Sequence, residues 1–114
     1  MTYYGARLLV VCLVDDARPR KKVLCDYAFV LIRATGYEEA FEGALKLGKQ
    51  REHTYKNPKG QRVRWSFIQV EEIKKLGRKL NGVEVGSLLD VWEDEAPLRF
   101  SKRFHPERVR PLFT

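Results

Sequence analysis

The chain has 114 residues, 44% of them hydrophobic and 11% aromatic, which is material for one packed core and too little for two. With 32% charged residues and a mean hydropathy of −0.43 the composition excludes a membrane protein, and the apolar content excludes general disorder. Twenty-two Lys and Arg against fifteen Asp and Glu leave a net charge of +7, which favours negatively charged partners.

Met1 to Gly5 lacks a cationic leader, and the apolar run from Ala6 to Val14 is broken by Arg7 and stops at Asp15. No signal peptide and a cytoplasmic location are expected. Tyr3 to Val14, rich in β-branched and large apolar residues, predicts a strand, and the polar DDARPRKK after it a loop. Val23 to Ala34 has the same character, with a nearly continuous apolar run from Tyr27 to Ile32. Such a strand needs cover on both faces and belongs in the centre of a sheet. Cys12 and Cys25 fall in these two strands and are expected as buried thiols. A hairpin centred near Arg18 and Pro19 would nevertheless set them opposite one another, where a disulfide is geometrically conceivable.

Thr35 followed three residues later by Glu38 has the spacing of a capping box, which predicts a helix from Gly36 to about Gln50. Tyr37, Ala40, Phe41, Ala44, Leu45 and Gly48 recur at three- and four-residue steps, so one face packs on the sheet. Acids in the first turns and bases near the end suit the helix dipole. His53 to Lys56 reads as extended and Asn57-Pro58-Lys59-Gly60 as a turn. The returning strand, Gln61 to Val70, alternates Val63, Trp65 and Phe67 with Arg62, Arg64 and Ser66, giving an apolar and a basic face. The alternation blurs near Ile68 and Val70. Glu71 to Lys79 either continues this strand or forms a helical turn, Asn81-Gly82 is a turn, and Val83 to Trp92 reads as a further strand or strand plus turn.

From Pro97 onward Phe100, Phe104, Leu112 and Phe113 are scattered among bases and prolines, a tail expected to dock on the body. The predicted fold is α+β: an antiparallel sheet of four or five strands in the order β-β-α-β-β with one helix on one face, residues 1–96 as a single domain and 97–114 as the docked tail. One amphipathic helix cannot cover two apolar faces. The second face therefore requires the tail in cis or, as the runner-up, a second subunit of a homodimer in place of a monomer.

The stretch from Glu52 to Phe67, EHTYKNPKGQRVRWSF, with Gly82-Val83-Glu84-Val85 downstream, resembles the short bacterial proteins grouped as Domain of Unknown Function 4288. The shared features are an opening Tyr-x-Ala strand (Tyr4, Ala6), an Ala-bearing helix (Ala40, Ala44), the Tyr-x-Asn-x-x-Gly-x-x-Val-x-Trp-x-Phe hairpin from Tyr55 to Phe67, and the Gly-x-Glu-Val segment. The resemblance covers roughly Tyr3 to Leu89 and leaves the tail after Trp92 outside. It implies a small bacterial module and brings with it no reaction, cofactor or catalytic residue.

The strongest constellation is basic. Tyr55, Lys56, Asn57, Lys59, Arg62 and Arg64 cluster on one hairpin, with Arg18, Arg20, Lys21 and Lys22 in a second loop. Two such loops can straddle phosphates, while the plainer reading is a solvated strand face. Tyr55 and Trp65 are candidate stacking surfaces for bases, although Trp65 shares the face of Val63 and Phe67 and so reads as core. His53 with Glu52 and Tyr55 suggests acid–base chemistry for RNA cleavage, but strand neighbours point to opposite faces and the three cannot share one side. Cys12, Cys25, His53 and His105 lack the spacing of a metal site, and no phosphate-binding glycine loop or nucleophile motif is present, so no metal, cofactor or catalytic residue is assigned. Asp90, Glu93, Asp94 and Glu95 read as a solvated face or as partners for the basic tail. The leading expectation is a non-catalytic module holding an acidic protein partner through its basic hairpin, as an immunity or regulatory component would. Neutralising a basic nuclease is disfavoured by the +7 charge. Direct RNA or DNA binding through the same residues is the alternative, a small ribonuclease the remote one, and no membrane association is expected.

Overall fold

The computed structural model describes residues 1–16, 18–84 and 91–114, with the backbone alone at 92–95. Along the chain run β1 (Thr2–Val14), β2 (Arg20–Ala34), α1 (Tyr37–Gln50), β3 (His53–Lys56), β4 (Arg62–Gly77), β5 (Val91–Leu98), a 3₁₀ turn (Pro106–Arg108) and β6 (Leu112–Phe113). The fold is α+β, with one helix among the described residues. Among the described residues the sheet has six strands: five in the order β3-β4-β1-β2-β5, and β6, which joins β4 in parallel beyond β3. This corrects the expected count of four or five. β6 is two residues long and lies inside the proline-broken tail, which no periodicity reveals.

β1, not β2, is the central strand. It pairs along most of its length with β2 on one edge and β4 on the other, whereas β5 reaches β2 only at Arg20–Leu24. Both alternating sets of β1 are buried: Tyr4, Ala6, Leu8 and Val10 towards α1, and Leu9, Val11 and Leu13 towards the opposite side. In β2, by contrast, Leu24 and Leu31 are exposed. The blurred alternation in β4 has a physical cause. Val10 pairs with Phe67 but Leu9 with Gln69, and Leu8 pairs with Val70 but Arg7 with Glu72, so Ile68 and Glu71 are extra residues in bulges. Each bulge resets the face on which the next apolar side chain falls. The polar stretch after them continues the strand to Gly77, and Glu71 pairs with Arg7 at 2.9 Å.

The helix starts at Tyr37 without the expected capping box. Gly36 is the N-cap in extended backbone with no side-chain cap; the Thr35 hydroxyl donates to Glu39, and Glu38 turns to Arg110 at 2.7 Å. Ala40, Phe41 and Ala44 pack on the sheet. Gly48 is required by its neighbour, since a Cβ there would overlap the Phe67 ring.

Leu98, Phe100 and Phe104 lie against Leu9, Val11, Leu13, Val23, Cys25 and Ile68 on the opposite face. The 3₁₀ turn then leads to Phe113, which stacks on Tyr37 at 5.0 Å on the helix side. Cys12 and Cys25 do not form a disulfide. The register pairs Val11 with Cys25, one residue away from the pairing a disulfide needs, so the two cysteines point to opposite faces. Burial pushes the Cys12 thiol pKa up. Residues 85–90 of the expected strand, and the side chains of Asp90, Glu93, Asp94 and Glu95, lie outside the described residues. Among the described residues no helix is long and apolar enough to cross a membrane.

Candidate functional site: a two-faced hairpin

The β3–β4 hairpin pairs His53 with Trp65, Thr54 with Arg64, Tyr55 with Val63 and Lys56 with Arg62. Its turn is fixed by Asn57, whose Oδ1 accepts the backbone N–H of Lys59 (3.1 Å) and of Gln61 (3.0 Å) while its amide donates to Gln61 Oε1 (3.0 Å). Gly60 sits at φ +78°, a left-handed conformation that favours glycine. Asn57 is thus committed to the turn. The register leaves His53, Tyr55, Val63 and Trp65 on one face and Thr54, Lys56, Arg62 and Arg64 on the other.

The basic face is largely occupied. Arg62 donates to Asp15 Oδ2 at 2.7 Å. Arg64 donates to the Ser66 hydroxyl (3.3 Å), to the Phe100 carbonyl (2.6 Å) and to the Lys102 carbonyl. Both guanidinium groups lie over the Phe100 ring, at 5.2 and 5.4 Å from its centroid. The tail is therefore clamped by the very arginines read from sequence as ligand-binding. Burial, and then the neighbouring charge of Arg103, push the Arg64 pKa down, against the opposing effect of Glu52.

Ion pairs tie the second basic loop to the same end of the sheet. Asp16 pairs with Arg20 while the adjacent Asp15 pairs with Arg62, so two aspartates stand between the loops that were expected to straddle phosphates. A backbone N–H from Arg18 and then the Arg20 guanidinium hold the Asp16 pKa low. Lys21, Lys22, Lys56 and Lys59 are exposed and have no ion pair among the described residues.

The other face of the hairpin carries aromatic side chains. His53 and Tyr55 stand in near-parallel planes with centroids 5.6 Å apart, as do His53 and Trp65 at 6.4 Å. The Trp65 indole donates to the Tyr55 hydroxyl at 3.3 Å, and the His53 ring nitrogen Nδ1 lies 3.1 Å from the Arg51 carbonyl. Tyr55 is 45% exposed. Trp65, expected in the core, is only half-buried, because α1 ends at Gln50 and leaves this part of the sheet uncovered. Glu52 turns the opposite way. Its Oε2 accepts the Phe67 backbone N–H at 3.1 Å and the Ser66 hydroxyl at 3.4 Å, so Glu52, His53 and Tyr55 do not form one catalytic group. Among the described residues no group of three or more His, Cys, Asp or Glu side chains gathers as a metal site.

Residues 3–87 match the family model described as Domain of unknown function (DUF4288). The chain belongs to this family. No curated protein and no solved structure matches it. The DUF4288 match contains the whole hairpin, with Asn57 and Gly60 of its motif fixing the turn and Trp65 and Phe67 on the helix side of the sheet. It stops before β5, so the tail segment that clamps Arg62 and Arg64 lies beyond the matched residues. Sequence reasoning missed Lys49, Ser66 and Arg103, which line a cavity with Arg64 beside the hairpin. Lys49 reads as a helix-surface base and Arg103 as a tail base, and nothing in their spacing signals that they converge.

Proposed function

We propose that this DUF4288 protein is a non-catalytic binding module that engages an acidic protein partner through the tip and aromatic face of the β3–β4 hairpin. The observation that carries this reading is the exposed Tyr55, held by Trp65 and His53, on a hairpin whose other face and turn carry the exposed Lys56 and Lys59. Aromatic side chains fixed before binding lose little entropy on association, and exposed lysines on the same hairpin steer an acidic surface towards it. Nucleic acid is the weaker reading. Of the basic residues on the two loops, Arg20 and Arg62 are paired with Asp16 and Asp15 and Arg64 is bound to the tail, which takes three arginines out of a phosphate-binding surface.

The test uses variants of the tip. Wild-type protein immobilised in lysate of its native host is expected to retain an acidic protein that Tyr55→Ala and the double variant Lys56→Glu/Lys59→Glu lose, whereas Lys21→Glu keeps it. Labelled RNA and DNA titrated at two salt concentrations are expected to bind weakly with a shallow salt dependence. Micromolar affinity with a steep salt slope, abolished by the same tip variants, would replace the protein partner with nucleic acid.

A further inference from the structure

We propose that the cavity between α1, the hairpin and the tail binds a phosphate group, either free phosphate or that of a small phosphate monoester. The site shares His53 and Trp65 with the aromatic face of the hairpin but none of the tip residues Tyr55, Lys56 and Lys59, so tip variants and cavity variants test the two readings separately. The cavity encloses about 400 Å³, within the size range of small-molecule sites. Lys49 from the end of α1, Arg64 from β4 and Arg103 from the tail line it, with His53 at its margin and Glu52 as the one carboxylate in the lining.

The charges in this cavity do not balance. Lys49, Arg64 and Arg103 bring three positive charges against one from Glu52, an excess of two. Glu52 is already committed to Ser66 and to the Phe67 backbone. Neither Lys49 nor Arg103 has an ion pair among the described residues, although the charge of Lys49 is felt by Glu107 outside the lining. The Nε–H of Arg64 is buried and out of reach of a ligand in the cavity. The neighbouring Arg103 guanidinium repels that of Arg64, which contributes to the lowered Arg64 pKa. A dianion in the cavity offsets this repulsion. A tetrahedral phosphate presents acceptors in several directions and so serves cations arriving from a helix, a strand and a tail, where a planar carboxylate meets one or two.

The experiment is an NMR titration of the ¹⁵N-labelled protein with inorganic phosphate, acetate and AMP in turn, at constant ionic strength. Phosphate is expected to give saturable shifts of the Arg64 guanidinium and of the Ser66 and Phe67 amides. Arg103→Ala and Lys49→Ala, both at exposed positions, are each expected to weaken binding about tenfold, and Lys22→Ala to leave it unchanged. Tighter binding of AMP than of phosphate identifies a monoester as the ligand, and the reverse identifies free phosphate. Absence of saturable shifts, equal binding of acetate, or unchanged affinity in both cavity variants would overturn the assignment.

Discussion

On one face of the sheet a helix lays Ala40, Phe41, Ala44 and Gly48 over the strands; on the other, Leu98 at the end of β5 and Phe100 and Phe104 of the irregular segment after it take its place, held by Arg64 through two backbone carbonyls. The helix satisfies its own backbone and needs only an apolar stripe. The tail has no such internal ladder, so its carbonyls are met by a side chain of the sheet it covers. The helix stops short of the hairpin, whereas the tail reaches its basic face through Phe100. Where α1 ends the aromatic face is left exposed, and between the end of α1 and the tail the polar cavity remains.

The helix-covered face should be the harder to damage without unfolding the protein. Phe67 is 1% exposed and fills the space that Gly48 leaves, so Phe67→Ala is expected to cost about 3–5 kcal/mol in urea unfolding. Gly48→Ala, which drives a methyl into that ring, is expected to cost about 1–3 kcal/mol. A loss below 1 kcal/mol for Phe67→Ala would mean that this face is not the main core.

Arg64→Ala tests the tail-covered face. It strips the Phe100 and Lys102 carbonyls of their donor and removes one cation from the Phe100 ring. The expected cost is about 1–3 kcal/mol, with a local signature. Amide exchange should accelerate at Phe100 to Phe104 while α1 stays protected. If exchange rises uniformly along the chain, the tail is part of one cooperative unit with the helix face and the contrast between the covers fails.

The difference between the covers also explains how much was legible. The helix, the first hairpin and the second hairpin with its turn follow from local rules: 3.6- and two-residue periods and an Asn-Pro-x-Gly turn. The bulges at Ile68 and Glu71 break the period and hide the register. In the sequence Arg62 and Arg64 have the alternation of a solvated strand face, because the aspartate that engages Arg62 lies 47 residues away in the chain and the two carbonyls that engage Arg64 lie 36 and 38 away. Trp65 misleads in the opposite sense. Its neighbours Val63 and Phe67 are buried, but the helix that covers Phe67 stops before reaching Trp65. Periodicity tells which side chains share a face and not how far the cover extends along it.

Tyr55→Ala separates stability from binding. Its side chain is 45% exposed and gives up one 3.3 Å hydrogen bond from Trp65, so the stability change is expected within about 0.5–1 kcal/mol. Capture of the acidic partner is nonetheless expected to be lost. Retained capture with a large stability loss would turn this face from a binding surface into core.

The smallest effect lies where the tail returns to the helix side. Arg110 donates to Glu38 at 2.7 Å and lies over the Phe113 ring at 4.9 Å. That hydrogen bond holds the Glu38 pKa below the ordinary carboxylate value and the Arg110 pKa above its own. Because the folded-state pKa of Glu38 is depressed, its contribution is complete above the unfolded value, near 4.5, and is lost as pH falls through the lower folded value. Both side chains are solvent-exposed and the pair is screened, so the effect on global unfolding should fall within error. It should be readable locally. Acidification below pH 4.5 is expected to shift the Phe113 and Thr114 amide resonances in the wild type and much less in Glu38→Gln. Three other contacts keep the tail end in place in that variant: the Thr114 N–H donates to Ile73 O at 2.8 Å, the Tyr37 hydroxyl donates to the Thr114 carbonyl at 3.1 Å, and Phe113 stacks on Tyr37. Detachment of residues 112–114 in Glu38→Gln at neutral pH would show instead that the ion pair, and not these three contacts, anchors the end of the chain.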